Sequence, residues 1–167
     1  MLILGIDPGL ALMGYGLIQT DGDDLTAIEY GVISTPADQN IANRLCTIYS
    51  ELTALIERYQ PVEVAIENFI AKNLRTALMV GQARGVAVLA AAQNNLPVFD
   101  YSPLAVKQQV AGYGRGSKMQ IQQMVKLQLG LDDIPRPDDA ADALAIAICH
   151  IQQSGAAGLL AESEEGA

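Results

Sequence analysis

Four carboxylates in this 167-residue chain are spaced as a metal-dependent site for phosphodiester cleavage would need them. Asp7 ends an apolar run, Leu2-Ile3-Leu4-Gly5-Ile6, and precedes Pro8-Gly9. Glu67 ends a second run, Val62-Glu63-Val64-Ala65-Ile66. Asp139 and Asp142 stand three residues apart at the start of a helix that is apolar almost all round, Ala140 to Ile148. A hard divalent cation such as Mg²⁺ takes oxygen ligands and few protein carboxylates, leaving coordination positions for phosphate and water. Two such ions stabilise both the attacking and the leaving oxygen of an in-line displacement. Each acid also has a plainer reading. Asp-Pro-Gly is good turn chemistry. Glu67 can be the first solvated residue after a buried strand. Asp138, Asp139 and Asp142 can satisfy the free N–H groups and dipole of a helix start, and Asp138 can do only that. The pair at 139 and 142 shares a helix face, however, and no lysine or arginine lies four residues from either. Two acids on a buried helix need a counter-charge, and a metal supplies it.

The charge distribution points the same way. Net charge is −9, which by itself argues against a polyanionic partner. Yet Lys72, Arg75, Arg84, Lys107, Arg115, Lys118 and Lys126 face a single acid, Asp100, between 72 and 126, so that stretch carries +6 and the rest of the chain −15. Such asymmetry implies one basic surface aimed at a polyanion, the alternative being that these charges scatter over several faces. Phe69, one of two phenylalanines in a chain without tryptophan, and Tyr113, flanked by glycines, lie among these cations. Exposed aromatics there suit stacking on bases or wedging between them, with ordinary packing the alternative for Phe69. The single histidine, His150, reads as structural, which leaves little for a histidine-based nucleophile. The glycines of 112–118 do not match the phosphate-binding loop Gly-x4-Gly-Lys-[Ser/Thr].

Positioning these residues requires an α/β scaffold. Strands are predicted at 2–7, 15–18 and 27–33, with Asp21-Gly22-Asp23-Asp24 as a hairpin turn, so the first three form an antiparallel unit. Ile41, Leu45, Ile48, Leu52, Leu55 and Ile56 recur at helical spacing over 40–59, ended by Gln60-Pro61. A buried strand at 62–67, a helix at 74–94, a strand at 96–99 and a helix at 103–110 follow. Ser117 is a plausible cap for a helix at 118–129, and the last helix spans 138–153. Hairpins followed by helix–strand alternation give a mixed five-stranded sheet with helices on both faces. Asp7 and Glu67 then lie at one end of that sheet, where α/β folds commonly carry their chemistry. Residues 1–153 form one domain, and 154–167, rich in Gly, Ala, Ser and Glu, read as a disordered acidic tail.

No apolar stretch approaches a membrane span, and the apolar N-terminus has neither a basic lead nor a small-residue cleavage site, so a cytoplasmic protein is expected. Cys46 and Cys149 lie in apolar helical patterns and read as buried free thiols.

At these residues the chain resembles the RuvC-type Holliday junction resolvases. The similarity runs over about 2–153 and rests on Gly5-Ile6-Asp7-Pro8-Gly9 with Gly14-Tyr15-Gly16, Ala65-Ile66-Glu67, Phe69-Ile70-Ala71-Lys72-Asn73, Gly81-Gln82-Ala83-Arg84-Gly85-Val86-Ala87, Val106-Lys107-Gln108 and Asp139-Ala140-Ala141-Asp142-Ala143-Leu144-Ala145. The resemblance implies an RNase H-like fold, a homodimer, Mg²⁺ or Mn²⁺ as cofactor with two ions per site, and paired symmetric nicks in a four-way DNA junction during recombination and repair. It implies Asp7, Glu67, Asp139 and Asp142 as the acidic tetrad, Lys107 and Lys118 near the scissile phosphate, and Phe69 near the junction centre. Lys72, Arg75, Tyr113 and Arg115 would then join the DNA-binding set, and a branch-migration helicase would be a partner. Three features depart from the family pattern: a shorter Glu-to-Phe spacing than in some relatives, a variable 112–117 loop, and an acidic tail where some members carry a basic extension. The helix 74–94 is the expected dimer patch, with Gly81, Ala83, Gly85 and Ala87 permitting close approach. Its apolar residues cover more than one ~100° stripe, leaving a face to bury beyond the one against its own sheet. The rival functions are an RNase H-like nuclease acting on RNA or hybrid, and a junction-binding module whose acids only cap helices. An actin-like ATPase shares the Asp-x-Gly strand but would need a second phosphate loop that the chain lacks.

Overall fold

In this computed structural model the described residues are 1–68 and 72–165, with side chains described as far as 155. The strands are β1 (Leu2–Asp7), β2 (Leu12–Asp21), β3 (Asp24–Ser34), β4 (Glu63–Glu67) and β5 (Val98–Tyr101). The helices are α1 (Ile41–Tyr59), α2 (Leu74–Gln93), α3 (Pro103–Ala111), α4 (Lys118–Gln128) and α5 (Asp138–Glu165). The sheet order is β3-β2-β1-β4-β5. β1 pairs antiparallel with β2, and β2 with β3, whereas β1–β4 and β4–β5 are parallel. This is the mixed five-stranded sheet expected from the element order. Gly22, in the left-handed region at φ 60°, closes the predicted hairpin between β2 and β3.

Two apolar cores sandwich the sheet. On one face Leu4, Ile6, Leu17 and Ile66 meet Ile48, Leu52 and Ile56 of α1 and Ala83, Ala87, Ala90 and Ala91 of α2. On the other, Ile3, Ile18 and Ala65 meet Val106 and Val110 of α3, Ile121 and Val125 of α4, and Leu144 to Cys149 of α5. Helix starts are capped as their sequences demand: Asn40, Asn73, Ser102 and Ser117 each accept from a backbone N–H three residues on, and Ser117 with Gln120 completes a capping box.

The seating of α5 determines the site. A Cβ added at Gly5 would lie 2.1 Å from the Ala143 carbonyl oxygen, and one added at Gly14 would lie 2.0 Å from that of Asp139. With no side chain at either position the helix lies backbone against sheet, its first turn over the β1–β2 pair. Asp7 is opposite Gly14 in the register, so the approach at Gly14 brings Asp139 toward Asp7.

Several expected boundaries move. β2 is longer at both ends, because ladder pairing runs from Leu12↔Ser34 to Asp21↔Asp24 irrespective of local propensity. β5 lies two residues later than expected, since Pro97 offers no N–H and Asp100 and Tyr101 pair with Ile66 and Glu67. α5 does not stop at 153 but stays helical to Glu165. Cys46 is exposed rather than buried, on the outer face of α1, while Cys149 is buried as expected and its thiol is pushed up to about 11 by that burial.

Candidate active site

Asp7 and Glu67 emerge side by side, because β1 and β4 are parallel neighbours in register up to Ile6↔Ile66. Asp139 and Asp142 come down on them from the first turns of α5. The electrostatics record how closely the acids converge. Burial first, then the charges of Glu67, Asp142 and Asp139, push Asp7 from its ordinary 3.8 to about 8, and hydrogen bonding with Glu67 adds to the rise. Glu67 is raised by burial and by Asp142, against the pull of Lys107 and Lys118. Asp142 is raised chiefly by burial, which outweighs the attraction of Lys118. Such a cluster of partly desolvated acids is short of positive charge.

Lys107 and Lys118 share one cleft of about 230 Å³ with Glu67 and Asp142, floored by Val106, Ile121 and Ile146. Lys118 Nζ lies 3.4 Å from Asp142 Oδ2 and 3.5 Å from Asp138 Oδ2. Desolvation works against its ammonium, yet Asp142 and Asp138 together hold its pKa above the ordinary value. Asp138 therefore does more than begin the helix. Its other oxygen accepts from Gln122 Nε2 at 3.1 Å and Arg136 Nη1 at 2.5 Å. The Gln122 bond, followed by the nearby cations, holds its carboxyl below the usual range. These partners were missed in the sequence, although the i, i+4 spacing of Lys118 and Gln122 on one helix was a usable signal.

The remaining predicted residues divide. Lys72, Arg75, Tyr113 and Arg115 are exposed, Arg75 on the first turn of α2 and the other three in loops. Phe69 lies outside the described residues. The basic stretch is not wholly free for a ligand, since Arg84 pairs with Asp100 and Lys118 with the site acids. Ala83 and Ala87, expected at a dimer face, belong to the protein's own core, while Leu74, Leu78, Gly81, Gly85 and Leu89 are exposed.

Among the described residues no three His, Cys, Asp or Glu side chains are already closed around a point where an ion would sit. The donor chemistry nevertheless fits a hard divalent cation. The acids supply only carboxylate oxygens, and the charge that raises Asp7, Glu67 and Asp142 is what a cation would neutralise.

A mixed β3-β2-β1-β4-β5 sheet covered by helices, with strand-end and helix-borne acids at one edge, defines an RNase H-like nuclease. Comparison with known proteins narrows the class. Residues 3–150 match the family model described as crossover junction endodeoxyribonuclease RuvC. The RuvC of Desulfitobacterium hafniense is 59% identical over 151 residues, covering 90% of this chain and 92% of that protein. The RuvC of Chloroflexus aggregans is 57% identical over 151 residues, covering 90% and 92%. Among solved structures, Thermus thermophilus RuvC in complex with a Holliday junction substrate superposes with a TM-score of 0.87 at 34% identity, covering 90% of this chain and 93% of that one. The yeast mitochondrial resolvase Ydc2, 15% identical with a TM-score of 0.61, shares the fold. The chain belongs to the RuvC family of crossover junction endodeoxyribonucleases.

Proposed function

We propose that this enzyme is a homodimer that resolves four-way DNA junctions by paired symmetric nicks in homologous recombination and DNA repair. It uses Mg²⁺, which Mn²⁺ can replace. The observation that carries the reading is the convergence of acids from β1, β4 and α5 beside a cleft holding Lys107 and Lys118. Asp7, Glu67, Asp139 and Asp142 would hold the metal, two ions per site, whose chemistry when bound is to activate water and neutralise charge developing on the phosphate. The chain's own groups do the rest. Lys118 keeps its proton through its pairing with Asp142 and Asp138, and so presents a permanent cation to a phosphate entering the cleft. Lys107, across the same cleft, lowers the cost of ionising Glu67. Lys72, Arg75 and Arg115 offer exposed cations for the sugar–phosphate backbone, and Phe69 and Tyr113 are suited to stack on bases at the branch point.

The exposed stripe Leu74, Leu78, Gly81, Gly85 and Leu89 supports α2 as the dimer face. A two-fold enzyme would match a two-fold substrate through one self-complementary patch. The family resemblance supports a branch-migration helicase as partner and the cytoplasm as location. Among the described residues no helix is long and apolar enough to cross a membrane.

The test is a labelled immobile four-way junction incubated with protein and Mg²⁺, beside linear duplex, single strand and an RNA–DNA hybrid. Symmetric nicks confined to the junction are expected. Preferential cutting of the hybrid would refute the reading.

A further inference from the structure

About 12 Å along α5 from Asp142, a second polar cluster forms around His150. His150 has a side-chain exposure of 2%, and both of its ring nitrogens are engaged. Nε2 lies 2.6 Å from Glu63 Oε2, and Nδ1 lies 2.7 Å from the Tyr101 hydroxyl. The Glu63 carboxylate accepts from Nε2–H, and Tyr101, whose phenol is pushed up to about 12 by burial, keeps its proton beside Nδ1. Phe99 packs against the imidazole at 4.6 Å between centroids, with the two rings tilted by 36°. Each member comes from a different element: Glu63 begins β4, Tyr101 ends β5 and His150 lies on α5.

The placement repeats that of the acids above. Glu63 and Glu67 are four apart on β4 and face the same side, about 13 Å from one another. Asp142 and His150 are eight apart on one stripe of α5, about 12 Å along its axis. The two elements run antiparallel, so Glu63 meets His150 at one end and Glu67 faces Asp142 at the other. The lower pair is joined directly, whereas the upper pair is two like charges that repel. Tyr101, opposite Glu67 in the register, ties the neighbouring strand to the same histidine.

We propose that Glu63, His150 and Tyr101 form a positioning brace. It presets the separation of α5 from β4, and with it the gap between Asp142 and Glu67 that a divalent cation must span. The proposal rests on the reading above that these acids hold the metal. Partners hydrogen-bonded directly to metal ligands change metal affinity about 10–100-fold when removed, so a brace acting one step further out is expected at the low end of that range. The apolar alternative is that His150 merely fills the core, in which case its loss should cost stability in proportion and leave metal dependence alone.

Because His150 is the chain's only histidine, its ring nitrogens give one unambiguous set of NMR signals. The experiment compares wild type, Tyr101→Phe, His150→Leu and His150→Gln. Gln can still donate to Glu63 and accept from Tyr101. Four measurements are made: melting temperature, junction binding in EDTA, the Mg²⁺ concentration giving half-maximal junction cleavage, and, in wild type and Asp142→Asn, the ring-nitrogen shifts on Mg²⁺ titration. In Tyr101→Phe and His150→Leu the Mg²⁺ requirement should rise about tenfold, with binding in EDTA unchanged and recovery in His150→Gln. The wild-type ring signals should shift saturably with Mg²⁺, and those of Asp142→Asn should not. An unaltered Mg²⁺ requirement, losses that follow melting temperature alone, or no ring shift would overturn the brace. Should His150→Leu fail to fold, Tyr101→Phe, which removes one hydroxyl, decides. If wild type cuts no junction, the functional reading fails, and the Mg²⁺-dependent ring shift alone then decides for or against the brace.

Discussion

Replacing Asp7 by Asn should stabilise the metal-free protein, and increasingly so as pH rises. Asp7 is raised from 3.8 to about 8 by burial and by Glu67, Asp142 and Asp139. The folded state therefore binds a proton that the unfolded state has released, and stability falls as pH rises from about 4 to 8. With those two values the penalty is about 2 kcal/mol at pH 5.5 and about 5 kcal/mol at pH 8. These are ceilings, because Glu67 and Asp142 share the same titration. Half the difference, about 1.5 kcal/mol, corresponds to roughly 3–6 °C in a chain of this size. Asn has nearly the shape of Asp and no charge to desolvate. Melting curves of both proteins in EDTA at pH 5.5 and 8 should therefore show the gap in favour of Asp7→Asn widening by several degrees toward pH 8. Subtracting one protein from the other cancels the titrating groups remote from the site and leaves Asp7 together with the acids coupled to it. Adding Mg²⁺ at pH 8 should raise wild type and leave the variant nearly unmoved. A gap independent of pH, or an Asp7→Asn protein that melts lower at pH 8, would refute the claim that these acids crowd one another.

Glu67→Gln and Asp142→Asn should bind a junction normally and cut it at least about a hundredfold more slowly, read by single-turnover gels, since a neutral ligand holds a divalent ion poorly. Log affinity against log salt should flatten by about 0.9 for each of Lys107→Ala and Arg75→Ala, as each lost phosphate contact releases fewer counterions; unchanged slopes for both would place them off the DNA. Leu78→Glu or Gly85→Glu should yield folded monomers by sedimentation, whereas Ala87→Glu, which buries a charge in the protein's own core, should fail to fold.

What could be read from the sequence was whatever one segment settles by itself. An acid that ends an apolar run, as at Asp7 and Glu67, announces a strand edge with chemistry on it, and the parallel pairing of β1 and β4 then brings the two together. The spacing of Asp139 and Asp142 fixed their common face before any tertiary contact was known. Partnerships between distant segments could not be read in this way. Glu63 and His150 are 87 positions apart, and nothing local to either marks the other. On α2 the composition showed that two faces were apolar but not which residues faced inward. Ala83 and Ala87 went to the core, and Gly81 and Gly85 remained outside. β5 was misplaced by two residues because its ends are set by β4 rather than by its own sequence.

The strip of glycines beneath α5 bears on how such a site can fail. Most packed surfaces absorb an extra methyl group by turning a side chain aside. At Gly5 and Gly14 the obstructing atoms are the carbonyl oxygens of Ala143 and Asp139, parts of the helix itself with nowhere to turn. The separation of Asp139 from Asp7 is thus gauged by main chain against main chain, and it cannot be retuned by exchanging one apolar residue for another. An alanine at Gly14 would shift Asp139 bodily, silencing the chemistry while leaving every acidic group in place. A random-mutation screen of this enzyme would find positions devoid of functional groups that are as unforgiving as the carboxylates themselves.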